Sequence, residues 1–422
     1  MLATLVAFAV RLLAILVLYR ATWNNFSDHL LFGFEIGRIA RSIAEGHGFG
    51  NPLSIETGPT AWMTPVYPYL VASVFKVFGI YSKASALVLL LLNALFSAAI
   101  CIPVYLIALR CFGAGTAMPA LWIWALFPVS INYSAFVWET CLSALLLACL
   151  FLWTLHLRRT PVTKRYWLAF GAAWGVAVMT NASILSLFPF LAGWALSPLW
   201  RTRRTWVLSA ALAVMGLGVV LLPWQERNSR VFHSFIPLRD TFWLEFWVGN
   251  DGYTQSVADT HAHPSINAEE RDTYGQLGEI GYMQLKKEQA LEVIAEHPHF
   301  VLWLTWRRFL YTWTGYWNRD PINLDQPTKI WLTSLTTLLM LIGLGHALRS
   351  AREVATPFCF VLAVYPLVFY VTHPAGRYRH VIDPEIVILA ALGLAALFSQ
   401  IRNASMTASA RRLQPPATDE GG

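Results

Sequence analysis

Residues 86–109 read ALVLLLLNALFSAAICIPVYLIAL, a run with no charged side chain and no alternation of apolar with polar positions. About 18 or more such residues cross roughly 30 Å of hydrocarbon as an α-helix, whereas a strand of a membrane barrel would alternate over about ten. Residues 140–157, TCLSALLLACLFLWTLHL, repeat the pattern. Working outward from these two, apolar blocks bounded by charges or helix breakers fall near 2–20, 84–109, 115–134, 138–157, 165–181, 183–200, 205–222, 328–348, 356–372 and 381–401. The whole chain agrees: of 422 residues, 56% are hydrophobic and 13% charged, with a mean hydropathy of +0.49, where soluble domains carry about 25% charge. A water-soluble globular protein is excluded. The expected class is an all-α polytopic membrane protein of about ten transmembrane helices.

A net charge of +7 could suggest nucleic acid, but the basic residues cluster in short connections between apolar blocks, where they set orientation. Arg110, Arg158, Arg159, Lys164, Arg165, Arg201, Arg203, Arg204, Arg349, Arg352, Arg402, Arg411 and Arg412 share one side with three acids, Glu353, Asp419 and Glu420. That side is expected to be cytoplasmic and to hold both termini, although Arg20 sits on the outer end of the first span. Two long polar segments, 21–83 and 223–327, then fall outside, the second with fourteen acids against nine bases. The apolar block Val66 to Gly79 is short, follows Pro65 and carries Lys76, so it reads as interfacial or re-entrant. Four of the five cysteines lie inside apolar blocks and Cys111 ends one, so no disulfide or zinc framework is expected. The first block lacks a basic leader and a cleavage site and reads as a retained span.

Four domains follow: a transmembrane module 1–222 that includes the outer segment 21–83, an outer loop domain 223–327, C-terminal helices 328–401, and a disordered tail 402–422. Within the first outer segment, Phe34 to Glu45 has helical spacing, with Glu35, Arg38, Ile39 and Ser42 on one face turned to water and Gly46 and Gly48 ending the helix. Trp62, Tyr67 and Tyr69 are placed at headgroup level. In the second, Glu279 to Glu296 forms a helix closed by His297-Pro298, and an apolar helix from about Phe300 to Trp313 rests on the membrane.

Glu35 is the first candidate for chemistry. Beside headgroups a partly desolvated carboxylate can act as general base, and it can equally be a solvated acid paired with Arg38. Glu139, at the outer end of a span, is either an interfacial anchor or part of a site. The turn His373-Pro-Ala-Gly-Arg377-Tyr378-Arg379-His380 places two guanidinium groups on the face where they are disfavoured. A phosphate, donor or ordinary lipid, is their natural partner. Arg227, in Pro223-Trp224-Gln-Glu-Arg-Asn where a span gives way to the large loop, either complements a helix end or joins that anion site. Arg11, in mid-span, is expected to be buried against a partner acid or backbone carbonyls. His261 with His263, and His297 with His299, have no fixed third ligand and read as loop residues. No phosphate loop, nucleophile elbow or transporter-type repeat is visible.

At these residues the sequence resembles the GT-C superfamily of polyprenyl-phosphate-sugar-dependent glycosyltransferases, in the branch of protein O-mannosyltransferases and aminoarabinose transferases. The resemblance runs over roughly 1–400 and is carried by EIGRIARSIAEGHG (35–48) with Pro65-Val-Tyr67-Pro68, by Trp138-Glu139-Thr140, by Pro223-Trp224 with Arg227-Asn228 and Gly249-Asn250, and by Arg377-Tyr378-Arg379. It implies a GT-C-like helical bundle and an inverting transfer of a sugar from a polyprenyl-phosphate donor to an acceptor hydroxyl of a glycan, lipid or protein. Glu35 stands where the family has its base, usually an aspartate. Arg377 and Arg379, flanking Tyr378, meet the donor phosphate with Arg227 nearby, while Glu139, Arg38, His373, Trp62 and Tyr67 shape the site. Some members hold a metal at the acid matching Glu139, which leaves a divalent cation open as cofactor. The resemblance further implies a bacterial inner membrane with the site on the periplasmic face. The competing reading is a transporter or flippase of lipid-linked sugars.

Overall fold

A computed structural model describes residues 1–18, 28, 32–159, 163–251, 262–315 and 327–412, so Arg20 and His261 lie outside the described residues. Among those described, the regular elements are helices, with one isolated antiparallel bridge between Gly50 and Pro59. Among the described residues seven segments are long and apolar enough to cross a membrane: Lys83–Phe112, Thr140–Arg159, Ala182–Arg201, Arg203–Phe232, Lys329–Ser350, Arg352–Val371 and Asp383–Arg402. Shorter helices Leu2–Val17, Ala114–Leu126 and Lys164–Thr180 occupy the remaining three expected positions. Val66–Phe78 is a helix of 13 residues packed on Glu35–Ala44 and Lys83–Ala99.

Proline explains where the spans bend. Pro103 has no N–H to give to Ala99, and the long span divides at Ile100 into Lys83–Ala99 and Cys101–Phe112. Pro128 drives Phe127 to extended backbone, so the expected 115–134 span divides into Ala114–Leu126 and Pro128–Tyr133. Pro223, by contrast, is absorbed: Arg203–Phe232 runs on past it until His233 adopts a left-handed conformation. Trp224 and Arg227 therefore belong to a helix that projects into the outer region, not to the start of a loop. Asp383–Arg412 likewise continues beyond Arg402, and residues 413–422 of the expected tail lie outside the described residues. Ala268–Glu296 starts earlier than expected, and Gly278, at φ 68°, bends it where the expected Glu279–Glu296 helix begins.

Small residues bring pairs of spans into backbone contact. Pro327–Ser350 crosses Asp383–Arg412 at Gly343 and Gly393, where an added Cβ would lie 1.9 Å from the Leu389 carbonyl oxygen and 2.2 Å from that of Leu339. Gly343→Ala is expected to destabilise the protein by about 1–3 kcal/mol by forcing the helices apart. The check is its melting temperature in detergent, and an unchanged value would refute the close crossing.

The connections sort to two ends of the bundle. At one, Arg158 pairs with Glu353 at 2.7 Å and donates to the Trp194 carbonyl, while Arg159 reaches the Arg110 carbonyl at 3.2 Å. This gathers the basic connections of four spans. At the far ends of Arg203–Phe232 and Arg352–Val371, the first outer segment, the large segment and the 373–380 turn come together.

The helix Glu35–Ala44 forms where expected, but its environment differs. Glu35, Arg38, Ile39 and Ser42 are all buried: Ser265 of the large outer segment meets Glu35, while Asp28 and Pro52 of the first segment take Arg38, and Gly48 and Asn51 of the same segment meet Ser42. The exposed side carries Arg41, paired with Glu45 at 2.8 Å.

Candidate active site

Glu35 opens its helix directly after Gly33 and Phe34, both at positive φ, so the chain turns sharply into the carboxylate. The Glu35–Arg38 pair does not form. Arg38 turns instead to Asp28 at 2.6 Å, and the Ser265 hydroxyl of the large segment donates to Glu35 Oε1. Two residues earlier, His263 accepts the Ser265 N–H at Nδ1, 3.1 Å away, and stands edge-on to Trp62. Burial lowers the affinity of His263 for a proton, reinforced by His373 and Arg377 and opposed by Glu35 and Glu245. One imidazole thus feels groups from the first segment, the large segment and the final turn.

Glu245, on Phe242–Asn250, is the centre of the next layer. Its two oxygens meet Arg239 at 2.8 Å and His373 Nε2 at 2.7 Å. Burial alone would raise its pKa, but His373 and Arg239 outweigh that and hold the carboxyl well below its ordinary range. The His373 ring lies 5.7 Å from that of Tyr378, which stacks on Phe369 at 4.4 Å. Arg377 donates to the Tyr378 oxygen at 3.0 Å and lies 4.0 Å over the Trp138 ring, beside Glu139. Burial works against the Arg377 charge, but Tyr378, Glu139 and Glu245 hold its pKa above the ordinary value.

Arg377 and Arg379 lie two residues apart on the one-turn helix Gly376–His380 and therefore diverge. Arg379 is directed to Thr337 at 3.3 Å and to Asp383 at 3.6 Å. Asp383 is in turn bonded to fully buried His380 at 2.9 Å. Burial lowers the Arg379 pKa and Asp383 opposes it. Arg379, Asp383, Tyr378, Tyr133, Tyr311 and Lys329 contribute to the wall of a cavity of about 250 Å³, otherwise lined largely by apolar groups such as Val129, Leu332, Phe369 and Ile382. Tyr378 is the border: it lines the cavity on one side and meets the His373–Glu245 pair on the other.

Three further expected site residues are held by contacts of their own. Arg227 donates to the carbonyls of Thr60 at 2.6 Å and Phe49 at 2.7 Å, both in the first outer segment. Tyr67 is buried with its hydroxyl 3.0 Å from Asn93, and Trp62 is buried between His263 and Tyr274, so both rings face protein. Nearby, Glu279 accepts from the Thr60 hydroxyl, the Ala61 N–H and the Tyr274 hydroxyl. Burial and this neighbour push the Asp240 carboxyl well above its ordinary range. Among the described residues no three His, Cys, Asp or Glu side chains gather as metal ligands.

Sequence reading passed over Glu245, Ser265, Lys329 and Asp383. A lone acid in the apolar helix FWLEFWVGN and an Asp-Pro-Glu opening the last apolar block were visible signals for two of them. Ser265 carried none.

Comparison with known proteins bears on this arrangement. Residues 62–224 match the family described as dolichyl-phosphate-mannose-protein mannosyltransferase. The oligosaccharyltransferase AglB from Archaeoglobus fulgidus, in complex with an inhibitory peptide and a dolichol-phosphate, overlays on 100% of this chain and 52% of its own, with a TM-score of 0.56 at 15% identity. The chain has the GT-C fold. A crystal structure of the Archaeoglobus fulgidus oligosaccharyltransferase with Zn and sulfate shares it over 97% of this chain and 51% of its own, with a TM-score of 0.54 at 14% identity. ArnT from Cupriavidus metallidurans bound to undecaprenyl phosphate overlays on 99% of this chain and 81% of its own, with a TM-score of 0.42 at 13% identity. The chain thus spans about half the length of the oligosaccharyltransferases that share its GT-C fold. No curated protein sequence matches it.

Proposed function

We propose that this protein is a membrane glycosyltransferase that moves a sugar from a polyprenyl-phosphate donor to an acceptor hydroxyl. The observation that carries this reading is the continuous neighbourhood from Glu35 through His263, Glu245 and His373 to Tyr378 and the cation-lined cavity. A carboxylate and a phosphate-binding cavity at one end of a GT-C bundle suit a substrate with an anionic head and a long apolar tail. The family match over residues 62–224 and the dolichol-phosphate in the AglB complex support the donor class.

In this mechanism Glu35 takes the proton of the acceptor hydroxyl as that oxygen attacks the anomeric carbon, and the bond from that carbon to the phosphate oxygen breaks. The polyprenyl phosphate leaves with its charge next to Tyr378, where Arg379 and Lys329 stand on the cavity side and Arg377 on the other. Asp383 and His380 fix the Arg379 fork, and the apolar wall takes the first isoprene units. Among the described residues no ligand cluster for a divalent cation forms.

The end holding this site is extracytoplasmic in the proposed arrangement, with both termini and the basic connections in the cytoplasm of a bacterial cell and the bundle in its inner membrane. Residues 1–222 then form the catalytic module, 223–327 its outer cover and 328–401 the remaining helices. The transporter reading draws no support from the family match, and Arg11, charged in mid-span, is taken up by two serine hydroxyls and three backbone carbonyls.

The test is incubation of the purified protein with a panel of undecaprenyl-phosphate sugars and a bacterial membrane extract as acceptor source, with mass spectrometry of the lipid. Release of undecaprenyl phosphate from one or more donors is expected, and no release from any of them overturns the reading. Arg379→Ala is expected to weaken donor binding about 10- to 100-fold through loss of charge-assisted hydrogen bonds. Unchanged donor affinity in a titration would remove Arg379 from the phosphate.

A further inference from the structure

The segment that delivers Ser265 to Glu35 is fixed on both sides. The His263 carbonyl accepts the N–H of Ile266 at 3.0 Å and of Asn267 at 2.9 Å, and Nδ1 of the same residue accepts the Ser265 N–H. Asn267 then caps Ala268–Glu296, its side chain accepting the Glu269 N–H at 2.8 Å. A hydroxyl on so constrained a turn has a defined position. Both it and the carboxylate it meets are buried, at 7% and 8% exposure.

The terminal torsion of a glutamate is broad and roughly two-fold, so an unheld carboxylate presents either oxygen over a wide arc. A base that removes a proton during attack must instead hold one oxygen within hydrogen-bond reach of the acceptor. The Ser265 hydroxyl occupies Oε1 and leaves Oε2 for that work. We propose that Ser265 is the positioning residue of the base: it acts through Glu35, and the carboxylate is set for proton removal only while the large outer segment is docked on the first. This rests on the reading of Glu35 as base and adds to it a residue 230 positions away in the chain.

Ser265→Ala, Ser265→Thr and Glu35→Gln, each in the full chain, test it by release of undecaprenyl phosphate from an undecaprenyl-phosphate sugar turned over by the wild type in the same membrane extract. Ser265→Ala is expected to lower kcat about 10- to 100-fold with donor KM within about twofold, and Ser265→Thr to recover most of that loss because it restores the hydroxyl. A raised KM with unchanged kcat, or a threonine variant as impaired as the alanine one, would mean the residue only supports the fold and would overturn the proposal. Full kcat in Ser265→Ala alongside an inactive Glu35→Gln overturns the positioning role alone. An active Glu35→Gln overturns the base itself and the positioning role with it.

Discussion

Glu35→Gln is expected to cut sugar transfer by about 10²- to 10⁴-fold, the range supplied by a positioned general base, while leaving donor binding in place. The amide keeps the shape of the carboxyl group and can still accept from Ser265, so the helix Glu35–Ala44 and its contact with the large segment persist. What is lost is an oxygen able to take the acceptor's proton. In this mechanism Glu35 meets the acceptor hydroxyl and not the donor phosphate, so donor affinity should stay within about twofold while the rate falls. Turnover at the wild-type rate would move the base elsewhere, and His373, held by Glu245, would be the next group to substitute.

A comparable loss, in stability rather than rate, is expected from Arg11→Met. This arginine is fully buried in Leu2–Val17 and gives five hydrogen bonds. Its partners are the Ser97 and Ser130 hydroxyls and the carbonyls of Ala7, Trp124 and Ala125. The latter two carbonyls sit at the end of Ala114–Leu126, where Pro128 has no N–H to give to the Trp124 carbonyl, which takes the Phe127 N–H at 3.3 Å beside the guanidinium. Methionine fills much of the volume but satisfies none of these oxygens, so destabilisation of about 3–5 kcal/mol is expected. Thermal unfolding in detergent measures it, and a melting temperature like that of the wild type would show that water or slack in the helices replaces the guanidinium.

Arg11 also shows how much the sequence could say. A charge in mid-span needs partners, and backbone carbonyls were one of the two alternatives on offer. The proline that ends their helix is readable, but that these two helices touch is not. Span positions were legible for a similar reason: burial in hydrocarbon is summed over a whole helix, so errors at single residues cancel. The small helix Glu35–Ala44 was legible from its spacing, yet its polar face was expected to meet water. An amphipathic helix does not reveal whether solvent or another polar segment covers its charged side.

Site contacts were harder. Arg377 and Arg379 were recognisable as anion-seeking, but a single helical turn sends them apart, and that divergence depends on φ and ψ rather than on composition. Arg227 looked suited to phosphate, yet two backbone carbonyls of the first outer segment take it, because Arg203–Phe232 carries past Pro223. Ser265 is an ordinary serine in a polar stretch until tertiary packing sets it on Glu35.

The Glu279 side chain ties Thr60 and Ala61 of one outer segment to Tyr274 of the other, and Arg227 fastens the same stretch from below. Anyone building chimaeras between relatives to exchange acceptor preference would therefore need to transplant the two segments as a matched set. Swapping either alone strands a buried carboxyl group and its donors in the seam, and such hybrids should misassemble before their selectivity can be measured.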